Sequence, residues 1–278
     1  MKFIDQTSYE MNLELLETIA RDELRIVSVV PSQTELLYDL GLKNQIVGLT
    51  KFCIEPQELE TETQKWFELK SKIGGTKNID IEKVKSLNPH IIFANKEEND
   101  KDQIESLRKE FIVYTSDVYD LKSSLEMIAH VGQLTKTEFE AQSIISKISL
   151  NFKEIQFPAI KKTAIYFIWK NPYMTVGGDT FIHQMIEECG FSNLTIDKKR
   201  YPVIEIEEMK ELNPEVIFLS SEPYPFKEKH IEEFREILPN ALIYIVDGQK
   251  FSWYGSHLIQ SPLYFNGLQK LVADSANK

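Results

Sequence analysis

Glu97 and Glu222 occupy matching places in a sequence that repeats itself. Ile79–Glu98 reads IDIEKVKSLNPHIIFANKEE and Ile204–Pro223 reads IEIEEMKELNPEVIFLSSEP; the two align without a gap at an offset of about 125 residues, with about ten of twenty positions identical. Each glutamate stands just past an apolar, β-branched run that suits a buried strand. The pair could therefore face one another across an opening, as acids able to meet a ligand. A second pair, Glu82 and Glu207, each follows an isoleucine at the start of a short helix, so both are expected to point outward. A carboxylate there stabilises a helix N-terminus by about 0.3–1 kcal/mol. One acid on each half, at an equivalent outward place, also suits a two-fold partner with basic pockets.

The other chemistry-bearing residues are sparse. Of the five histidines, His90, His130, His183, His230 and His257, no two stand at HExxH spacing. His90 opens a strand where the second copy has Glu215, which gives it a structural role. His257 follows FSWYGS in a late loop and could contact a ligand. Cys53, Glu55 and His257 are the one grouping that could touch a metal, and nothing in their spacing assigns one. Cys53 and Cys189 form no CxxC, so a thiolate zinc site is not indicated and two free thiols are expected. Gly177-Gly178-Asp179 is neither GxGxxG nor a P-loop; Asp179 or Thr180 is expected to cap the helix that follows. No GxSxG is present, and no Ser/His/Asp set declares itself.

The elements that must position these residues alternate strand and helix. RIVSVV (25–30), IVGLT (46–50), HIIFAN (90–95) and IVYTS (112–116) read as strands in the first half; AIYFIW (164–169), the second repeat run and LIYIVD (242–247) read as strands in the second. Helices are expected at 9–22, from Ser32 (which has capping-box spacing to Glu35) to Gly41, after Asp80, and near 100–109, 121–132, 180–189, 227–237 and 258–273. Residues 135–156 contain neither Gly nor Pro and predict one helix of about 30 Å. This alternation argues for parallel sheets covered by helices. The expected division is a helical extension at 1–24, an α/β lobe at 25–133, a connecting helix at 134–158 and a second α/β lobe at 159–278.

In parallel sheets ligands bind beyond the carboxyl ends of the strands. That rule selects the loops holding Pro31 and Ser32, Lys51 and Phe52, Glu97, Trp169 and Tyr173, Glu222 and Tyr224, and Phe251, Trp253, Tyr254 and His257. Aromatic rings in loops that should be polar indicate a flat or largely apolar ligand.

Composition narrows the partners. The 278 residues carry 43 acids against 32 bases, a net charge of −11, which disfavours nucleic acid and anionic lipid. No run approaches 18 apolar residues, so no membrane span is expected. The first residues have no apolar signal core. As the sequence stands it reads as cytoplasmic, or as a mature form whose signal has been removed.

The strand-turn RIVSVVPSQTELLYDLG, the helix-strand IDIEKVKSLNPHIIFAN, the connecting helix and the late FSWYGS loop resemble the substrate-binding proteins of vitamin B12, haem and ferric-siderophore ABC importers, over roughly residues 25–273. The opening motif is more similar to the B12-binding branch than to the zinc branch. The resemblance implies a class III periplasmic-binding-protein architecture: two Rossmann-like lobes with parallel sheets, joined by one long α-helix that permits little closure, and a ligand held between the lobes largely by aromatic rings. It implies a non-catalytic monomer with no intrinsic cofactor and no structural metal, whose ligand is a corrinoid such as cobalamin or another metal chelate. It also implies that Glu82 and Glu207 meet arginines of a permease dimer, and a periplasmic location for the processed chain. Two departures stand out. IGGTKN (73–78) has glycines where the B12 binders place a tryptophan, and only Arg200 lies near a ligand loop. Ferric-siderophore or haem binding by the same fold is the nearest alternative. An enzyme acting on a tetrapyrrole, with His257 and Glu97 or Glu222, and a cytosolic scavenger are the others.

Overall fold

The computed structural model describes residues 14–57 and 65–276. These divide into two compact units. One takes the chain up to Val118, then Lys122–Lys147 and Tyr254–Ser256; the other takes Tyr119–Leu121, Ile148–Trp253 and the chain from His257 onward.

The first unit is built on five parallel strands: β1 (Ile26–Ser28), β2 (Ile46–Leu49), β3 (Ser71–Lys72), β4 (Ile91–Asn95) and β5 (Ile112–Ser116), in the order β3-β2-β1-β4-β5. Every residue of β1 and β4 is buried, as a strand covered by helices on both faces must be. The second unit has four parallel strands: β6 (Lys162–Phe167), β7 (Phe191–Asn193), β8 (Val216–Ser220) and β9 (Leu242–Val246), in the order β7-β6-β8-β9. One face of β6 and β8 supplies Ile165, Phe167, Ile217 and Leu219 to a core completed by Met209, Phe226 and Phe234. Burying each such side chain stabilises the unit by about 1.5–3 kcal/mol. The fold is the α/β architecture with two parallel sheets that the sequence led us to expect.

The repeat acts at the backbone level. Helices Ile81–Ser86 and Ile206–Leu212 precede β4 and β8. Both are followed by an asparagine in the left-handed region, Asn88 at φ 45° and Asn213 at φ 44°, a conformation that asparagine tolerates better than most residues. The stop is thus made by the asparagine as much as by the proline after it. The residues that open β4 and β8 also share a task. His90 Nδ1 accepts from Arg25 N at 3.1 Å, and Glu215 Oε2 accepts from Thr163 N at 2.9 Å, each tying its strand to the start of the neighbouring one.

Four local expectations need correction. The first long helix begins at Pro31 with Val30 as its cap, so Ser32 is its second residue and no Ser32–Glu35 capping box forms. Proline's fixed φ suits the first helical position, where a missing N–H costs nothing. The connecting helix does not run unbroken through 135–156. Leu121–Thr135 ends, Lys136 adopts φ 58°, and a new helix covers Glu138–Lys153. Thr137 N bonds to Gly132 O, and a Cβ on Gly132 would lie 2.6 Å from that of Ala141; this close turn is what stops the first helix. Glu138–Lys153 then carries the chain from one unit into the other. The leading helix ends at residue 17 rather than 22, with Leu16 buried and Leu15 exposed; residues 9–13 of the expected span, Met11 among them, lie outside the described residues. The short strands β3 and β7 lie in stretches that carry no strand pattern. Of the two candidate caps before Phe181–Glu188, Thr180 serves, accepting from His183 N at 3.2 Å, while Asp179 accepts from Arg200 N.

Candidate functional site

Strand order locates the ligand end of each sheet. In the first unit the order reverses between β1 and β4, and in the second between β6 and β8; the crevice of an open parallel sheet lies beyond the carboxyl ends of such a pair.

In the first unit, the chain leaving β4 is organised by two asparagines. Asn95 Oδ1 accepts from Glu97 N and Glu98 N; Asn99 Oδ1 accepts from Asn95 N, and Asn99 Nδ2 donates to Val29 O and Thr76 O. Gln33 Nε2 donates to Ser116 Oγ at 2.6 Å, joining the helix after β1 to the end of β5. Tyr254 also belongs to this unit. Its hydroxyl donates to Glu98 Oε1 at 3.1 Å, and Gly255 N donates to Ser124 Oγ. Burial, reinforced by the Glu98 charge, pushes the Tyr254 phenol well above its ordinary range. Pro31 and Ser32 are buried beneath this surface, whereas Lys51 and Phe52 are exposed, with Lys51 Nζ 5.0 Å from the Phe52 ring centre. Glu97 is half-buried, and its carbonyl accepts from Lys77 Nζ at 2.7 Å.

In the second unit, Trp169 pairs with Met174 across a turn that follows β6. The turn is pinned to helix Glu228–Ile237: Glu233 takes the Lys170 ammonium on one carboxylate oxygen and the Tyr173 hydroxyl on the other. Burial raises the Tyr173 phenol, and the bond to Glu233 adds to the rise. Burial would also raise the Glu233 carboxyl, but Lys170 and Tyr173 outweigh it and hold the carboxyl below its usual value. Trp169 stays 40% exposed, with its ring edge-on to Tyr224 at 5.6 Å. Beyond β8, Glu222 Oε1 accepts from Ser252 Oγ at 3.1 Å and from Trp253 Nε1 at 3.0 Å. Burial raises the Glu222 carboxyl despite these two bonds.

The structure therefore brings Trp169, Tyr173 and Tyr224 together, and Glu222 with Trp253. Phe251 joins neither group. It is fully buried, packed on Tyr166, Phe218 and Phe265, because the short helix Gln249–Ser252 turns it into the core. His257 is buried, 5.4 Å from the Trp253 ring, and its Nε2 lies 3.1 Å from Lys250 Nζ. An ammonium only donates, so Nε2 accepts and is not open to a metal. Cys53 is free, buried and held by Thr34 and Thr50. Among the described residues no three His, Cys, Asp or Glu side chains gather to hold a metal ion. Glu82 and Glu207 are both exposed in the first turns of their helices, Glu82 with Lys85 at 3.5 Å.

Three participants escaped the sequence reading. Glu98 was hidden because the repeat pairs its neighbour Glu97 with Glu222 and sets Pro223 opposite Glu98. Glu233 sits on a helix, where its spacing looks like that of any solvated acid. Asn99 carried one available signal, an Asx residue just after a strand end, where such side chains fold back on the backbone.

Residues 26–237 match the model of the periplasmic binding protein family. The ABC transporter substrate-binding lipoprotein YvrC of Bacillus subtilis is 26% identical over 211 residues, a match covering 72% of this chain and 64% of that protein, so the chain aligns with less than two thirds of YvrC. A vitamin B12-binding protein of Vibrio campbellii is 24% identical over 207 residues, 70% of each chain. Among solved structures, the periplasmic haem-binding protein BhuT superimposes with a TM-score of 0.76 at 18% identity, covering 90% of this chain and 98% of that one. The periplasmic vitamin B12-binding protein BtuF of Vibrio cholerae does so at 0.69 and 19%, covering 90% and 97%. At these identities the superpositions speak for the fold alone. No described helix is long and apolar enough to cross a membrane.

Proposed function

The chain belongs to the periplasmic binding protein family, and from that premise we propose that it is the non-catalytic solute receptor of an ABC importer, working outside the cytoplasmic membrane as a monomer and carrying a corrinoid or a related metal chelate. The observation that carries this reading is the set of rings beyond the carboxyl end of β6 and β8. Trp169 is 40% exposed and stands edge-on to Tyr224, and its turn is fixed by Glu233. Large rings held rigidly at a surface supply apolar contact at little cost in conformational entropy. Phe52 offers a similar face on the first unit, 51% exposed beside Lys51. YvrC and the vitamin B12-binding proteins support the class of cargo, and the haem-binding fold relatives keep haem beside it.

The direct experiment is titration of the purified full chain with cyanocobalamin, haemin and a ferric siderophore, read by tryptophan fluorescence and melting temperature. A ligand at 100 times its Kd stabilises the folded state by about 2.7 kcal/mol. Silence from all three ends the proposal. Glu82 and Glu207 are proposed to dock the permease. Reversing both charges, Glu82→Lys with Glu207→Lys, is expected to abolish uptake in cells while leaving ligand affinity unchanged, since both side chains are exposed in the first turns of their helices. Equal loss of binding and uptake would place these acids elsewhere in the mechanism.

A further inference from the structure

Glu222 is a carboxylate used on one side only. Its Oε1 accepts two hydrogen bonds, from Ser252 and from the Trp253 indole. Its Oε2 accepts none from the described residues and is not among the buried unpaired polar atoms, so it meets solvent. The side chain is anchored from below as well: a Cβ on Gly248 would lie 2.6 Å from Glu222 Cγ, and Gly248 N donates to Ser221 Oγ at 3.0 Å. The chain after β9 thus closes tightly on the base of Glu222 and presents one oxygen outward. That oxygen stands at the end of β8, one of the two strands where the order of the second sheet reverses.

We propose that Glu222 Oε2 reads the rim of the ligand by accepting a hydrogen bond from an N–H donor, so that the site favours a chelate whose periphery carries amides over one whose periphery carries carboxylates. The inference rests on the transport reading above and adds to it a chemical selectivity. An ionised carboxylate accepts hydrogen bonds and cannot donate one. It rewards a primary amide with a charge-assisted bond and repels an incoming carboxylate. Cobalamin is edged by primary amides, whereas haem bears two propionates. The titratable groups that face Glu222 are Asp247 at the end of β9, His257 in the turn before the last helix, and the Tyr166 hydroxyl in β6. Asp247 adds to the repulsion of an anionic ligand group.

The test uses the full chain and three probes: cyanocobalamin, its monocarboxylic acid in which one peripheral amide is hydrolysed, and haemin. Affinities are read by tryptophan quenching at pH 8.0, for the native chain and for Glu222→Gln. Glutamine keeps an acceptor for Ser252 and Trp253 and replaces the outward oxygen by an NH₂ donor. The native chain is expected to prefer the amide over the monocarboxylic acid by about tenfold at pH 8.0, the scale of a charge-assisted hydrogen bond. Glu222→Gln is expected to erase that preference. Equal binding of amide and acid by the native chain, or a preference unchanged in Glu222→Gln, each overturns the role of Glu222 and leaves the transport reading standing. Failure of cobalamin, haemin and a ferric siderophore to bind at all overturns both.

Discussion

Substituting Gly248 by alanine sets two effects of opposite sign against each other. Gly248 has φ −61° and ψ −34°, a backbone that alanine adopts without strain. It stands at the head of helix Gln249–Ser252, so propensity alone could make alanine better by up to about 1 kcal/mol. The added Cβ, however, would lie 2.5 Å from Ser220 Oγ, 2.6 Å from Glu222 Cγ and 3.2 Å from Glu222 N, where carbon contacts normally stand at about 3.5–4.0 Å. A serine hydroxyl can rotate away. Glu222 Cγ cannot, because the backbone holds one end of the side chain while Ser252 and Trp253 hold the other. Overpacking of this kind costs about 1–3 kcal/mol. If Glu222 swings aside to relieve it, the Trp253 indole loses its acceptor at about 1–3 kcal/mol more. The net expectation is a loss of about 2–4 kcal/mol. Urea denaturation followed by far-ultraviolet circular dichroism measures it, and the Trp253 indole N–H resonance should move upfield as its charged acceptor leaves. An alanine variant as stable as the native chain, with that resonance in place, would refute the packing argument and show that propensity governs the position.

Gly267 supplies the opposite case: it is exposed within helix Ser261–Ala276 and a Cβ there meets nothing within 4 Å, so Gly267→Ala should raise stability by about 0.5–1 kcal/mol in the same urea assay. Burial lowers the pKa of His130, His183 and His230 below the ordinary 6.5. The unfolded chain then binds more protons between the folded and unfolded values, so stability is full above about 6.5 and declines as pH falls through that window; urea midpoints at pH 7.5 and 5.5 should show the decline, and His130→Phe should make it shallower.

The elements were legible where hydrophobic period and length agreed. The runs IIFAN and VIFLS could only be buried strands, and the structure pairs both in parallel sheets. The break at Lys136 was not legible, because nothing local in TKTEF forbids a helix; the turn depends on Gly132 meeting Ala141, nine residues further along. Phe251 departs from expectation for a related reason. Its neighbours Trp253 and Tyr254 share its loop and its chemistry, but a single turn of helix sends Phe251 into the core while Trp253 reaches Glu222.

The two repeat copies mark where sequence symmetry stops being informative about function. Up to the strand, equivalent residues do equivalent work: Asn88 and Asn213 take the same left-handed turn, and His90 and Glu215 make the same tie to the neighbouring strand through different chemistry. Past the strand the copies part. After β4, Asn95 folds back to bind Glu97 N and Glu98 N, so the chain turns on its own side chain. After β8, the equivalent Ser220 donates to the Glu222 carbonyl, and the Glu222 carboxyl is aligned by Ser252 and Trp253, some thirty residues later in sequence. Backbone demands repeat because both halves must close the same helix and start the same strand. The carboxyl ends of the strands have no such obligation to each other. Their geometry is set by segments outside the repeat, Tyr254 for Glu98 and Trp253 for Glu222, so adjacent residues of one late loop determine how the acids at both sheet ends are held.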